Sequence, residues 1–199
     1  MSETTIIDLM RHGEPVGGRR YRGQIDDPLS EQGWEQMRQA VARKSPWQTV
    51  ISSPLKRCSD FSRELSTRLK IGLAYDERLK EVGFGTWEGL SGDQLREKDN
   101  TVLTRFYHDP IANRPQGAEP LDSFNHRVNQ AFAQAVAQHA GKHILLVTHA
   151  GVIRSILTQT LNAPLASMYR FSIGTASLSR IQIDAERPPT IIFVGKAAL

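Results

Sequence analysis

Two histidines stand at the ends of short apolar runs, and each is followed at once by small residues. The first run, Thr5-Ile6-Ile7-Asp8-Leu9-Met10, ends in Arg11-His12-Gly13. The second, His143-Ile144-Leu145-Leu146-Val147-Thr148, ends in His149-Ala150-Gly151. Such runs read as buried strands, because parallel strands of an α/β sheet are apolar on both faces. Ligands of open α/β sheets bind in the crevice outside the carboxyl ends of the strands. The two imidazoles and Arg11 are therefore expected to meet in one crevice suited to an anion. A lone strand-end histidine is more often a structural hydrogen-bonding residue. The pairing of two such sites beside an arginine is what favours chemistry. Gly13 is expected to permit positive φ and close approach of backbone to ligand. His108, His126, His139 and His143 read as surface or linker residues.

Other side chains extend this set. A neutral imidazole of His12 can attack phosphorus and split one hard step into two. Arg11 and Arg57 can bind phosphate, since a guanidinium fork matches its oxygens. Arg57 follows Ser52-Ser53-Pro54 just beyond a short apolar run, although its spacing alone reads as a solvated helix residue. Glu81 sits in an apolar, glycine-rich stretch, where burial would raise its pKa and suit it to general-acid work. A surface loop carboxylate is the competing reading of Glu81. Glu14 and Glu88 are the next carboxylates in line.

The elements that must position these groups follow from periodicity and punctuation. A strand is expected over about residues 4–10, then a glycine- and arginine-rich loop through Arg19-Arg20-Tyr21-Arg22-Gly23. Ser30 caps a helix carrying Trp34, Met37, Ala40 and Val41, broken at Pro46-Trp47. Thr49-Val50-Ile51 reads as a strand, and Ser53 as the N-cap of a helix with Pro54 at its first position. The apolar stripe of that helix is Leu55, Cys58, Phe61, Leu65 and Leu69. Ile71–Tyr75 reads as another strand, and 78–89 as an ordered loop with buried aromatics. Residues 91–108 hold short helical pieces capped by Ser91, and 111–120 is irregular. A long helix then carries Phe124, Val128, Phe132 and Val136, and Val152–Leu161 is helical. Three strands are expected in the tail, over Met168–Ile173, Ser177–Ile183 and Thr190–Val194. Strands alternating with helices indicate an α/β three-layer sandwich, with a mostly parallel central sheet flanked by helices.

Composition bounds the function classes. The 199 residues suit one well-cored domain over 1–199, with 39% hydrophobic and 23% charged residues. A formal charge of +4 without a long basic run argues against nucleic acid and equally suits an anionic small molecule. Cys58 is the only cysteine, which excludes an intrachain disulfide and fits a reducing cytoplasm. Met1-Ser2-Glu3-Thr4-Thr5 lacks the basic start of a signal peptide, and no apolar stretch approaches the roughly 20 residues of a membrane span. The expected location is the cytoplasm.

Taken together, these segments resemble the histidine phosphatase superfamily, the phosphoglycerate mutase-like fold. Arg11-His12-Gly13-Glu14 is similar to its signature, and Gly23 with Asp26, Pro28 and Leu29 to its next loop. Ser52-Ser53-Pro54-Leu55-Lys56-Arg57 resembles the segment carrying a second phosphate arginine. Leu79-Lys80-Glu81 with Phe84-Gly85-Thr86-Trp87-Glu88-Gly89 resembles the acid-bearing stretch, and Thr148-His149-Ala150-Gly151-Val152-Ile153-Arg154 the second histidine motif. The resemblance spans roughly residues 5–155. Each motif alone is weak; their shared order is specific.

The resemblance implies a role for each residue. His12 would become phosphohistidine, and Arg11, Arg57 and His149 would hold the phosphoryl oxygens. Glu81 would protonate the leaving alcohol and then help activate water. Arg22 and Gly23 would lie at the phosphate or substrate, and the unusually basic Arg19-Arg20-Tyr21-Arg22 cluster would meet a second anionic or aromatic part of it, with a solvated mobile loop as the competing reading. No metal or cofactor is implied. The implied partner is a small phosphorylated metabolite, with neither nucleic acid nor membrane, and the chain would act as a monomer or homodimer. Departures from the family pattern are Pro15, where Thr or Ser is common, and Pro115-Gln116-Gly117-Ala118-Glu119-Pro120, where Pro-x-Gly-Gly-Glu-Ser is common. The absence of a Trp-Asn pair after the signature favours a phosphatase over a mutase. Within the superfamily, the short length, the loop 22–29 and the tail Met168-Tyr169-Arg170-Phe171 are most similar to the α-ribazole phosphatases. That likeness implies an α-ribazole 5′-phosphate substrate and a place in cobalamin nucleotide-loop assembly.

Overall fold

The computed structural model describes residues 4–42 and 45–198. Met1–Glu3, part of the stretch that lacks the basic start of a signal peptide, lie outside the described residues. Six strands form one sheet: β1 (Thr5–Arg11), β2 (Thr49–Ser52), β3 (Gly72–Tyr75), β4 (His143–Thr148), β5 (Leu178–Asp184) and β6 (Arg187–Lys196). Their spatial order is β3-β2-β4-β1-β5-β6. The first three pairings are parallel and the last two antiparallel, so the sheet is mixed, with its parallel half holding the motif-bearing strands.

Both faces of the central strands are apolar, and each face carries its own helices. Met10, Val50, Leu145 and Val147 pack with Met37 and Ala40 of α1 (Glu31–Ala40) and with Phe61 and Leu65 of α2 (Lys56–Leu69). Ile7, Leu9, Ile144 and Leu146 face the other way, towards α5 (Leu121–Gln138) and α6 (Ala150–Thr160). Two short helices, α3 (Gly92–Lys98) and α4 (Val102–His108), complete this second layer beside Phe84 and Trp87. Ser91 caps α3 through a capping box with Gln94, as its sequence position predicts. Among the described residues no helix is long and apolar enough to cross a membrane.

Several expected elements differ in the structure. Met168–Ile173 is not a strand: Leu165–Arg170 winds as a 3₁₀ turn entered through Pro164. Only Met168 of that turn is buried, so no two-residue alternation exists to face a sheet. Ser53 does not cap α2. Its hydroxyl is engaged by His149, the helix starts at Lys56, and the Lys56 N–H donates to Asp26 Oδ1 at 2.6 Å instead. Asp26 thus supplies the anionic group that the first turn of α2 lacks. The first helix ends at Ala40, well before Pro46. Gly13 has no positive φ. A side chain there would collide with the backbone of Gly33 in α1, so glycine serves close packing of backbone on backbone. His143 is neither surface nor linker, because its Nε2 lies 2.9 Å from Oδ2 of the buried Asp8.

Candidate active site

Three adjacent parallel strands deliver the site. Arg11 at the end of β1 is in register with Thr148 at the end of β4, and Val147 with Ser52 at the end of β2. His12, His149 and Ser53 follow those ends directly, so the strand-end histidines share one edge of the sheet as their positions predict.

His12 is buried, and its Nδ1 lies 2.7 Å from the Gly13 carbonyl oxygen. A carbonyl oxygen only accepts, so Nδ1 carries the proton and Nε2 holds the lone pair. Burial, followed by the charges of Arg11 and Arg57, keeps the imidazole neutral well below the usual histidine range. His149 stands edge-on to His12, with ring centroids 5.2 Å apart at 61°. It is fully buried and, for the same reasons led by burial, also neutral. Arg57 Nε donates to its Nδ1 at 3.3 Å, which leaves Nε2–H to donate to Ser53 Oγ at 2.8 Å.

Arg57 is 1% exposed, which overturns its reading as a solvated helix residue. Its Nη1 and Nη2 donate to the carbonyls of Ile25 and Gly23 at 2.6 and 2.8 Å, so the loop 22–29 wraps a buried guanidinium. Gly23 has φ +52°, and a side chain on it would collide with the Glu88 carboxylate. Arg11 donates from Nη1 to the Ile173 carbonyl at 2.6 Å, while its buried Nε has no partner among the described residues. Burial lowers its pKa to about 10, so it remains a cation at neutral pH. Glu81 is half-buried. Its carboxylate accepts the N–H groups of Val82 at 2.9 Å and Gly151 at 3.1 Å, the latter in the first turn of α6.

Arg11, His12, Arg57 and Glu81 line one cavity of about 670 Å³, far larger than a phosphate group. Arg22 and Gly23 line it too, with Arg22 held by Asp27 at 2.9 Å and by the Val16 carbonyl at 2.6 Å. His149 does not line it. The outer wall is aromatic and basic, with Tyr21, Phe84, Tyr107, Tyr169, Arg19 and Arg154. Arg19 and Tyr21 belong to the basic cluster that the sequence marks out for a second part of the substrate, whereas Tyr107 and Tyr169 join them only because α4 and the turn 165–170 meet that loop in the fold. Of the two reserve carboxylates, Glu14 lines the cavity, whereas Glu88 Oε1 accepts from Phe84 N and Gln24 N at 3.0 and 3.3 Å. Pro15 is buried in the cavity wall, bridged to Leu29. Among the described residues no cluster of three or more His, Cys, Asp or Glu is arranged to hold a metal ion.

The family model for the histidine phosphatase superfamily, branch 1, matches residues 7–193. The chain belongs to this superfamily. It is 31% identical over 197 residues to the bifunctional protein Rv2228c of Mycobacterium tuberculosis, covering 96% of this chain and 54% of that protein. The chain therefore spans about half the length of the first curated relatives it matches. A mycobacterial glucosyl-3-phosphoglycerate phosphatase superposes with a TM-score of 0.85 at 25% identity, over 97% of this chain and 99% of that one. The α-ribazole phosphatase of Shigella flexneri superposes with a TM-score of 0.79 at 26% identity, over 98% of both chains. The phosphoglycerate mutase-like α/β fold expected from the motifs is the fold observed.

Proposed function

We propose that this protein is a phosphomonoesterase working through a phosphohistidine. One observation carries the reading: a neutral imidazole with its Nε2 lone pair free shares a cavity with a buried guanidinium lacking a partner on Nε and with a half-buried carboxylate. His12 Nε2 attacks phosphorus as the bond from phosphorus to the leaving oxygen breaks. Arg11 and Arg57 neutralise the phosphoryl oxygens as charge develops. Glu81 gives a proton to the leaving alcohol, then takes one from the water that displaces His12 and releases inorganic phosphate. Direct donation from His149 to the phosphoryl oxygens requires its Nε2–H to leave Ser53 Oγ. In this reading His149 serves instead by orienting Arg57 through its Nδ1.

His12→Ala tests this reading. Turnover of p-nitrophenyl phosphate should vanish while the fold persists, and should be indifferent to EDTA in the wild type. Acid-labile, alkali-stable phosphate should be trapped on the wild type alone. Retained turnover in the variant would overturn the proposal.

For the substrate, α-ribazole 5′-phosphate is the proposed ester, supported by the Shigella relative and by an aromatic outer cavity suited to a flat base. The cavity favours a second reading as well. Arg19 makes no hydrogen bond to the described residues, Arg154 donates to the Phe171 carbonyl and lies over the Tyr169 ring, and both sit near enough to weaken the hold of Arg11 on its proton. Two such cations suit an ester with a second anionic group, as in the glucosyl-3-phosphoglycerate of the mycobacterial neighbour. A panel of α-ribazole 5′-phosphate, sugar phosphates and carboxylated phosphomonoesters, run with and without 2-phosphoglycerate-type acceptors, separates these readings from a broad-specificity phosphatase and from a phosphoglycerate mutase-type transferase.

A further inference from the structure

Arg127 lies on α5, outside the cavity, and all five of its N–H donors are taken. Nε donates to Glu119 Oε1 at 2.7 Å. Nη1 donates to the carbonyls of Arg78 and Lys80 at 2.6 and 2.8 Å. Nη2 donates to the Glu81 carbonyl at 3.1 Å and to Glu119 Oε2 at 2.8 Å. Glu119 in turn accepts the Gly83 N–H at 3.1 Å, and its own N–H donates to the Gly83 carbonyl at 3.1 Å. The pair therefore grips the backbone on both sides of Glu81, at residues 78, 80, 81 and 83.

We propose that the Arg127–Glu119 pair positions Glu81 for proton transfer to the leaving group. The proposal rests on Glu81 being the general acid. A guanidinium with every donor occupied has none left for substrate, so Arg127 acts only through the segment it holds. Val82 anchors the segment in the core and Arg114 also donates to the Gly83 carbonyl at 2.9 Å, but the Arg78 and Lys80 carbonyls are held by Arg127. Residues 80–84 form no helix or strand, and the cavity they border is open to solvent on one side. Without the clamp, the Glu81 carboxylate keeps its two N–H partners but the backbone on either side of it loses the bonds from Arg127 and Glu119 that set its distance from the leaving oxygen. A displacement of about 1 Å at a reacting group can cost about 10²-fold in rate. Glu119 belongs to the segment that departs from the family pattern at Ala118 and Pro120, and its clamp is intact despite both changes. Pro120 sits at the N-cap of α5, where proline lacks only a donor that has no helical partner.

The test compares Arg127→Lys, whose ammonium has three donors for five acceptors, with Glu119→Gln, which keeps the size of the side chain. Phosphohistidine formation is measured by rapid quench with an alkyl ester, ribose 5-phosphate, and with p-nitrophenyl phosphate, whose leaving group needs no proton. Both variants should slow the alkyl ester by about 10²-fold, leave KM close to wild type, and affect p-nitrophenyl phosphate little. Glu81→Gln is the reference and should show the same bias. Equal losses on both esters, or no loss on either, in a variant with wild-type circular dichroism would overturn the positioning role. If Glu81→Gln itself shows no bias, the general-acid reading fails instead. If Arg127→Lys does not fold, Glu119→Gln decides alone.

Discussion

The Glu81 carboxylate occupies the space that a side chain on Gly151 would fill. Gly151 lies two residues after His149, and its N–H donates to Glu81 Oε2 at 3.1 Å. The glycine of the second histidine motif thus admits the carboxylate carried by a loop 70 positions earlier in the chain. Two motifs far apart in sequence are parts of one contact.

Gly151→Ala should therefore displace Glu81 without harming the helix that holds it, since alanine is the better helix former. Phosphohistidine formation from an alkyl phosphate should fall by about 10²-fold, with p-nitrophenyl phosphate much less affected. Thermal melting should stay near wild type. An alkyl ester turned over at the wild-type rate would show that the carboxylate need not sit where Gly151 places it.

Arg57→Lys keeps one charge and loses the fork. The guanidinium serves His149 Nδ1, the Ile25 carbonyl and the Gly23 carbonyl from three different nitrogens, a geometry an ammonium cannot reproduce. The expected loss in kcat/KM is about 10²-fold or more, and the yield of trapped phosphohistidine should drop with it. Near-normal kinetics in the lysine variant would reduce Arg57 to a general electrostatic contributor.

The histidines were legible in the sequence because a buried parallel strand has a plain signature, an apolar run with a small residue after it. The same logic places Arg11. Arg57 was not legible from spacing, because its burial depends on the loop 22–29 folding over it. Nothing local to α2 records that cover. The strand expected over Met168–Ile173 overlaps the turn 165–170, because bulky residues suit either state and the packing of that turn against α6 decides between them. The roles of Gly13 and Gly151 could not be read from their own neighbourhoods either. Each is small for the sake of an atom in a distant segment. Of the outer cavity wall, the basic cluster at 19–22 was legible, while Tyr107 and Tyr169 were hidden for the same reason.

Away from the cavity, Asp8 is fully buried and accepts four bonds: from Trp47 Nε1 at 2.7 Å, His143 Nε2 at 2.9 Å, and Arg180 Nε and Nη2 at 2.7 and 3.0 Å. Burial alone would raise its pKa, but the bonds from His143, Arg180 and Trp47 outweigh it and hold the carboxyl below its ordinary value. Asp8→Ala leaves those donors without their acceptor and should cost about 3–5 kcal/mol in urea unfolding. The folded fraction should still form phosphohistidine normally, because the network lies behind the sheet edge that carries the chemistry. A loss of less than 1 kcal/mol, on the order of a surface pair, would show that the network is not needed for stability.

The depressed pKa values of His12 and His149 have two consequences of definite sign. In the unfolded chain each imidazole takes a proton near pH 6.5. In the folded chain burial, reinforced by Arg57 and Arg11, keeps both neutral to well below that value. The unfolded state therefore binds more protons as pH falls below about 6.5, and folding stability declines from there towards the lower folded-state values. Kinetics should behave in the opposite way. A free imidazole loses about tenfold of its neutral form between pH 7.5 and 5.5, whereas His12 should keep its lone pair. Single-turnover phosphohistidine formation from p-nitrophenyl phosphate, which needs no general acid, should stay nearly flat across that interval while the melting temperature drops. His12→Asn should lessen the drop in melting temperature, since it removes one of the two groups that titrate only on unfolding. A tenfold fall in the single-turnover rate at pH 5.5 would mean that His12 titrates as an ordinary exposed imidazole, and the buried, neutral nucleophile would have to be abandoned.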